Sequence, residues 1–180
     1  MKTMDLLEEF ERKMIVQRYS PSSIKNYKSA VRSFLQLAEK KYSHPLEITE
    51  TEIEKYIYWK IEKHRIGASY QRLIVASIDK FYLSMFNRQL NLKHLYPRSK
   101  NKSLPVYLTA REVSRLMENV TNLKHKCIVQ LLYGCGLRLN ELLHLKLTDV
   151  DSKNKIILIR KAKGGKDRVV MLSPLLLESL

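Results

Sequence analysis

Glycine and proline are scarce in this chain, five of each among 180 residues, and cysteine is scarcer still, with only Cys127 and Cys135. The few glycines and prolines fall between periodic segments, which argues for a mainly helical chain. Two cysteines without a Cys-x-x-Cys spacing suggest neither a zinc site nor a disulfide framework, and they read as idle thiols in a reducing compartment. Long apolar runs are missing too. No window has the uninterrupted length that spans a bilayer. The opening MKTMDLLEEFERKM is charged throughout and has no signal-peptide core. The expectation is a cytoplasmic protein with no membrane association. Acid is also in short supply. Asp and Glu number 18 against 33 Lys and Arg, a formal charge of +15. Such an excess favours a polyanionic partner through counterion release, with nucleic acid the first candidate. Charge alone leaves an anionic membrane surface or an acidic protein open.

What is present begins with four amphipathic segments over residues 1–95, a helical domain with short connections. The first runs from about Thr3 to Val16, with Leu6, Leu7, Phe10 and Met14 on one face. The second, about Pro21 to Lys41, buries Ile24, Tyr27, Val31, Phe34, Leu35 and Ala38. Its other face carries Lys25, Lys28 and Arg32, either a solvated face or, with Ser22, Ser23 and Asn26, a helix lying along a DNA groove. The third begins at Thr49, where Thr49 and Glu52 have capping-box spacing. It buries Ile53, Tyr56, Ile57 and Ile61, and its glutamates place it away from DNA. The fourth, about Ala68 to Phe86, has a core stripe of Tyr70, Leu73, Ile74, Ile78, Phe81, Tyr82 and Met85. Arg65, Gln71, Arg72 and Lys80 sit outside that stripe as candidate DNA contacts.

Periodicity fails over residues 96–106, a basic linker. Arg98, Lys100 and Lys102 occur there without an acidic neighbour, as in a plain tether or a strap crossing phosphate backbones. Residues 107–180 form a second domain. Thr109 and Glu112 repeat the capping-box spacing before a helix to about Val120 with Val113, Leu116 and Met117 inward. A second helix, about Leu123 to Tyr133, is broken by Gly134 and Gly136. Arg138 opens a short helix whose Leu139, Leu142, Leu143 and Leu145 are expected to be mostly buried. An arginine among so many apolar residues needs a partner, and Glu141, three residues on, can hold it. Local pattern leaves two roles equally open, a structural ion pair or a phosphate grip. Lys155–Lys161 and Lys166–Leu172 read as two strands joined by a Gly-Gly turn, with Lys161, Lys163 and Lys166 at the tip. The turn lacks the full GxxxxGK[ST] pattern, so it is not a nucleotide P-loop.

Leu132, Tyr133, Gly134, Cys135, Gly136, Leu137, Arg138, Leu139, Asn140, Glu141 and Leu142, then Leu145, Asp149 and the Lys163-Gly164-x-Lys166-Asp167-Arg168 hairpin, resemble the tyrosine recombinases, the phage-integrase and Xer-type enzymes. The stretch from Ser20 to Tyr27 is similar to that family's core-binding domain. The resemblance implies a mainly α fold. Its parts are an N-terminal four-helix core-binding (SAM-like) domain and a partial α+β catalytic domain with a small antiparallel β-sheet. It implies double-stranded DNA as partner, no metal or nucleotide cofactor, and cleavage and rejoining through a 3′-phosphotyrosyl link. It places a catalytic arginine on Arg138, a general-acid lysine on Lys163 and an orienting acid on Glu141. The family works as a tetramer on DNA; a monomer is expected for the present stretch.

The family pattern continues with His-x-x-Arg and a late nucleophilic tyrosine. No His-x-x-Arg follows Lys163 here, and no tyrosine follows Tyr133, which itself precedes Arg138. The chain is therefore expected to be the first part of a recombinase, as a fragment or a shortened gene, that binds DNA without cleaving it. The alternative is a non-catalytic DNA-binding protein that occupies recombination sites. A weaker third reading is an RNA-binding protein.

Overall fold

The computed structural model of the chain describes residues 3–98, 106–160 and 165–177. The chain divides into two compact units, residues 1–102 and 103–180. In the first unit, α1 (Thr3–Val16), α2 (Pro21–Ala38), α3 (Glu50–His64) and α4 (Ala68–Phe86) pack around one apolar core. Their starts are written in short polar signals. Ser20 caps α2 by accepting the Ser23 amide, with Pro21 in the first turn. Thr49 caps α3 by accepting the Glu52 amide at 3.3 Å. The reciprocal half of the expected box is absent among the described contacts, because Glu52 pairs with Lys41 and Lys55 instead. The second helix stops at Ala38, a turn short of the expected Lys41.

Leu6, Leu7, Phe10 and Met14 are all buried, as their spacing requires. Phe10 meets Phe81 edge to face at 5.4 Å, and the buried Tyr82 hydroxyl donates to the Pro45 carbonyl at 2.8 Å. Arg88 donates to the Leu46 and Ile48 carbonyls, so it fastens this same turn rather than facing a ligand. Leu92 and Leu95 close the core from the following segment. The start of α4 departs from the expected core stripe, with Leu73 only half-buried and outside the core cluster. Tyr70 is 41% exposed, because it lies in the first turn of α4, at the rim of the bundle.

In the second unit α5 (Ala110–Asn119) starts with a complete capping box between Thr109 and Glu112. Its Val113 is buried, but Leu116 is 43% exposed. The next helix, α6 (Leu123–Cys135), passes through Gly134 without a break. Gly136 alone ends it, at φ 59°, the left-handed conformation that glycine adopts without a Cβ clash. Leu137 then drops into the core and α7 (Leu139–Leu143) follows. This helix is barely more than one turn, so only one face meets the core. Leu142 and Leu145 pack on the core, whereas Leu139 and Leu143, four apart on the outer face, are 62% and 67% exposed, against expectation.

Three antiparallel strands follow in the order β1 (Val150–Asp151), β2 (Ile156–Ile159) and β3 (Arg168–Met171). Ile157 and Ile159 point inward, and the register sets Ile157 opposite Val170 and Ile159 opposite Arg168. Pro174–Leu177 forms α8, whose Leu176 lies against Gly134. The architecture is mainly helical, with a small antiparallel sheet confined to the second unit. No helix among the described residues is long and apolar enough to cross a membrane.

Truncating the aromatic centre tests this packing. Phe81→Ala is expected to destabilise the first unit by about 3–5 kcal/mol in urea unfolding, and Tyr82→Phe by only about 1 kcal/mol. A loss under about 1.5 kcal/mol for Phe81→Ala would contradict the core described.

Candidate phosphate-binding site

Arg138 occupies the N-cap of α7 with extended backbone, φ −76° and ψ 150°. Two neighbours put it there. Gly136 reverses the chain after α6, and Leu137 is buried, so the next side chain emerges at the surface. Glu141, three residues on, sits over the start of the helix and accepts the Arg138 backbone amide at 2.8 Å. Its other oxygen, Oε1, accepts Arg138 Nη1 at 2.8 Å. The Glu141 side chain is 6% exposed, that of Arg138 58%. The sequence suggested an arginine enclosed by leucines. Instead the carboxylate is enclosed and the guanidinium stands in solvent, because Leu139 and Leu143 turn away from the core.

A third group completes the cluster. Arg168, first residue of β3, donates Nη2 to Glu141 Oε2 at 2.8 Å and to the Gly136 carbonyl at 3.2 Å. Glu141 therefore serves two guanidiniums and a backbone amide. The Arg168 hydrogen bond, then the Arg138 amide, hold its carboxyl down at about 2, well below the usual carboxylate range. Arg138 spends a single guanidinium hydrogen bond on Glu141 and makes no other among the described residues. A permanently charged, planar fork with outward donors is suited to a phosphate oxyanion.

Arg168 escaped the sequence reading as a site residue, although it stood within the hairpin motif. Nothing in that motif pointed to its partners, Gly136 and Glu141, which lie far back in the chain. A second pair was missed in the same way. Asp149, 6% exposed, accepts Arg160 Nε at 2.6 Å and the Lys146 amide at 3.2 Å. The Arg160 hydrogen bond lowers its carboxyl pKa. The pair fastens the end of β2 to the turn before β1.

The expected DNA contacts of the first unit divide into two groups. Lys25 and Arg32 are exposed on one face of α2, Arg72 on α4, Arg65 at the left-handed C-cap of α3, and Arg98 beyond the last turn. Others are occupied. Lys28 is ion-paired with Glu11 of α1, with its side chain 21% exposed. Gln71 donates to the Leu95 carbonyl at 2.7 Å and so holds a turn together. Lys80 lies over the Tyr19 ring at 5.2 Å. In the second unit Lys166 is exposed. Lys100, Lys102, Lys161 and Lys163 lie outside the described residues. Among the described residues no three His, Cys, Asp or Glu side chains converge where a metal ion could sit.

Residues 6–92 match the model of the phage integrase N-terminal SAM-like domain, and residues 106–180 that of the phage integrase family. An integrase/recombinase of Escherichia coli is 29% identical over 100% of this chain and 53% of its own length. The tyrosine recombinase XerA of Thermococcus onnurineus (strain NA1) is 31% identical over 98% of this chain and 60% of its own. The chain thus spans between 53% and 60% of the length of these curated relatives. The crystal structure of a lambda integrase tetramer bound to a Holliday junction is similar in fold, with a TM-score of 0.71 at 18% identity over 98% of this chain and 52% of that one. The XerH recombinase bound to its difH substrate gives 0.63 at 20% identity over 87% of this chain and 49% of that one.

The Glu141 cluster has a pH signature. Its carboxyl is held at about 2 in the folded chain, against about 4.3 in an unfolded one. The stabilisation it confers is complete above about pH 5 and fades as pH falls toward 2. The stability difference between wild type and Glu141→Gln should be constant from pH 7 to 5 and narrow between pH 4.5 and 3 in urea unfolding. A difference that held or widened on acidification would contradict the cluster.

Proposed function

The chain belongs to the phage integrase family, the tyrosine recombinases, and from that premise we propose that it is the DNA-engaging portion of a site-specific recombinase. In this reading residues 1–95 are the core-binding domain, residues 96–106 a basic linker and residues 107–180 the first part of the catalytic domain. The partner is double-stranded DNA. The whole protein acts in the cytoplasm as a tetramer on DNA, and cleaves and rejoins strands through a 3′-phosphotyrosyl link without metal or nucleotide cofactor.

The observation that carries the proposal is the Arg138 guanidinium, aimed by a sheltered carboxylate yet 58% exposed. The structural pair of Arg160 with Asp149 leaves its cation equally exposed; Arg138 differs in that a second guanidinium, Arg168, also serves its carboxylate, so the rest of the Arg138 fork is not needed there. Arg138 is assigned to the scissile phosphate, where a fixed positive fork stabilises the charge that builds on the phosphoryl oxygens during attack. Lys163 is assigned as general acid to the leaving 5′-oxygen, a role that needs a group able to release a proton. Glu141 supports Arg138. Lys25, Arg32, Arg65, Arg72, Arg98, Lys100, Lys102, Lys161 and Lys166 are assigned to backbone phosphates, which position the protein on the duplex. Lys28, Gln71 and Lys80 are assigned lesser parts, since each already has an intramolecular partner.

Binding to a duplex should be dominated by phosphate contacts, with the logarithm of affinity falling linearly with that of salt. Replacing Lys25 and Arg32 together by Ala should reduce the slope by about 2, and Lys28→Ala by clearly less than 1. A polypeptide of these 180 residues should trap no covalent adduct on a suicide duplex. Unchanged affinity in the double variant removes α2 from the interface; tighter binding to RNA than to duplex at equal salt, or a covalent adduct, contradicts the reading.

A further inference from the structure

Arg168 has no assigned part in the reading above, yet the exposed Arg138 fork depends on it. The Glu141 carboxylate is almost fully enclosed and needs donors on both oxygens, because an underpartnered buried anion is costly. Oε1 is served by Arg138 Nη1, and Oε2 by the Arg138 amide and Arg168 Nη2. The Arg168 contact is the strongest single influence keeping the carboxyl ionised. Its side chain is 35% exposed, and Nη2 is committed to Glu141 and to the Gly136 carbonyl. Its backbone is equally constrained, being paired with Ile159 in the sheet beside a buried side chain.

We propose that Arg168 is a positioning residue, which saturates Glu141 from the β3 side so that Arg138 spends one donor inward and keeps the remainder of its fork for a phosphate. The inference rests on Arg138 being the phosphate-binding cation. Without Arg168, Oε2 retains only a backbone amide, and Arg138, already bound to Oε1 through one arm, carries a second arm that can serve it. The guanidinium then turns inward to grip the carboxylate with both nitrogens, a geometry that suits Arg–carboxylate pairs well. That withdraws donors from the ligand.

The test is a double-mutant cycle on the 180-residue chain, binding a random-sequence DNA duplex at 0.1 M salt, with Glu141 followed by carboxyl-carbon NMR. Loss of one phosphate contact corresponds to about an eightfold weakening at that salt. Arg138→Ala should show that loss, and Arg168→Gln should reproduce much of it. The double variant should be no weaker than Arg138→Ala alone, since the two act through one contact. The Glu141 midpoint should rise from about 2 in Arg168→Gln. Arg168→Lys, which keeps a cationic donor, should recover part of both properties. Additive losses would make Arg168 a direct DNA contact and overturn the proposal. So would Arg168→Gln binding like wild type while Arg138→Ala is weakened, or an unmoved Glu141 midpoint in a folded Arg168→Gln chain. If Arg138→Ala itself binds like wild type, the failure is that of the phosphate grip, and the Glu141 midpoint alone then decides whether Arg168 holds the carboxylate.

Discussion

One carboxylate between two guanidiniums organises the second unit. Glu141 draws in the Arg138 amide, one arm of its guanidinium and one arm of Arg168. These three bonds fix the start of α7, orient the exposed cation and join the helix to the sheet. Removing Glu141 would leave two positive groups facing each other with nothing between them. Keeping it buried would be unfavourable if either oxygen lacked a donor. The cluster therefore holds together as a set, and its outward product is a guanidinium with donors free for an anion.

The first unit reaches a related end by a different route. Its stability comes from aliphatic and aromatic burial in a helical bundle, with Phe10, Phe81 and Tyr82 at the centre. That arrangement leaves the outer helix faces free to carry charge. Where an acid lies near, the cation is neutralised locally, as with Lys28 and Glu11. Lys25, Arg32 and Arg72 have no ion pair among the described residues, and their charge stays exposed. The net charge of +15 is therefore not spread evenly, and it is these unpaired positions that an external polyanion can neutralise.

Local features were the most legible in the sequence. The Thr109–Glu112 cap, the limits of α1 and α4 and the Arg138–Glu141 pairing all depend on groups within four residues of one another. Features that depend on distant groups were not legible. Arg168 meets Glu141 across 27 positions of sequence, so neither periodicity nor spacing pointed to it. The same holds for Arg160 with Asp149 and for Lys28 with Glu11. Leu139 and Leu143, expected to be buried, are exposed because α7 sets only part of its surface against the core. One turn has a single inward face, and here that face belongs to Leu142. Gly134 was expected to break α6 because glycine weakens helices, but a helix interior tolerates one when the terminating conformation is supplied two residues later by Gly136.

The central claim is that the Arg138 guanidinium faces a DNA phosphate. The most direct measurement is NMR of the arginine side-chain Nε–H groups in the 180-residue chain as a short duplex is added and then displaced by salt. The Arg138 signal should move on duplex addition and return as salt rises, together with backbone signals around Lys25 and Arg32. A chain that binds the duplex while the Arg138 signal stays in place would contradict the claim.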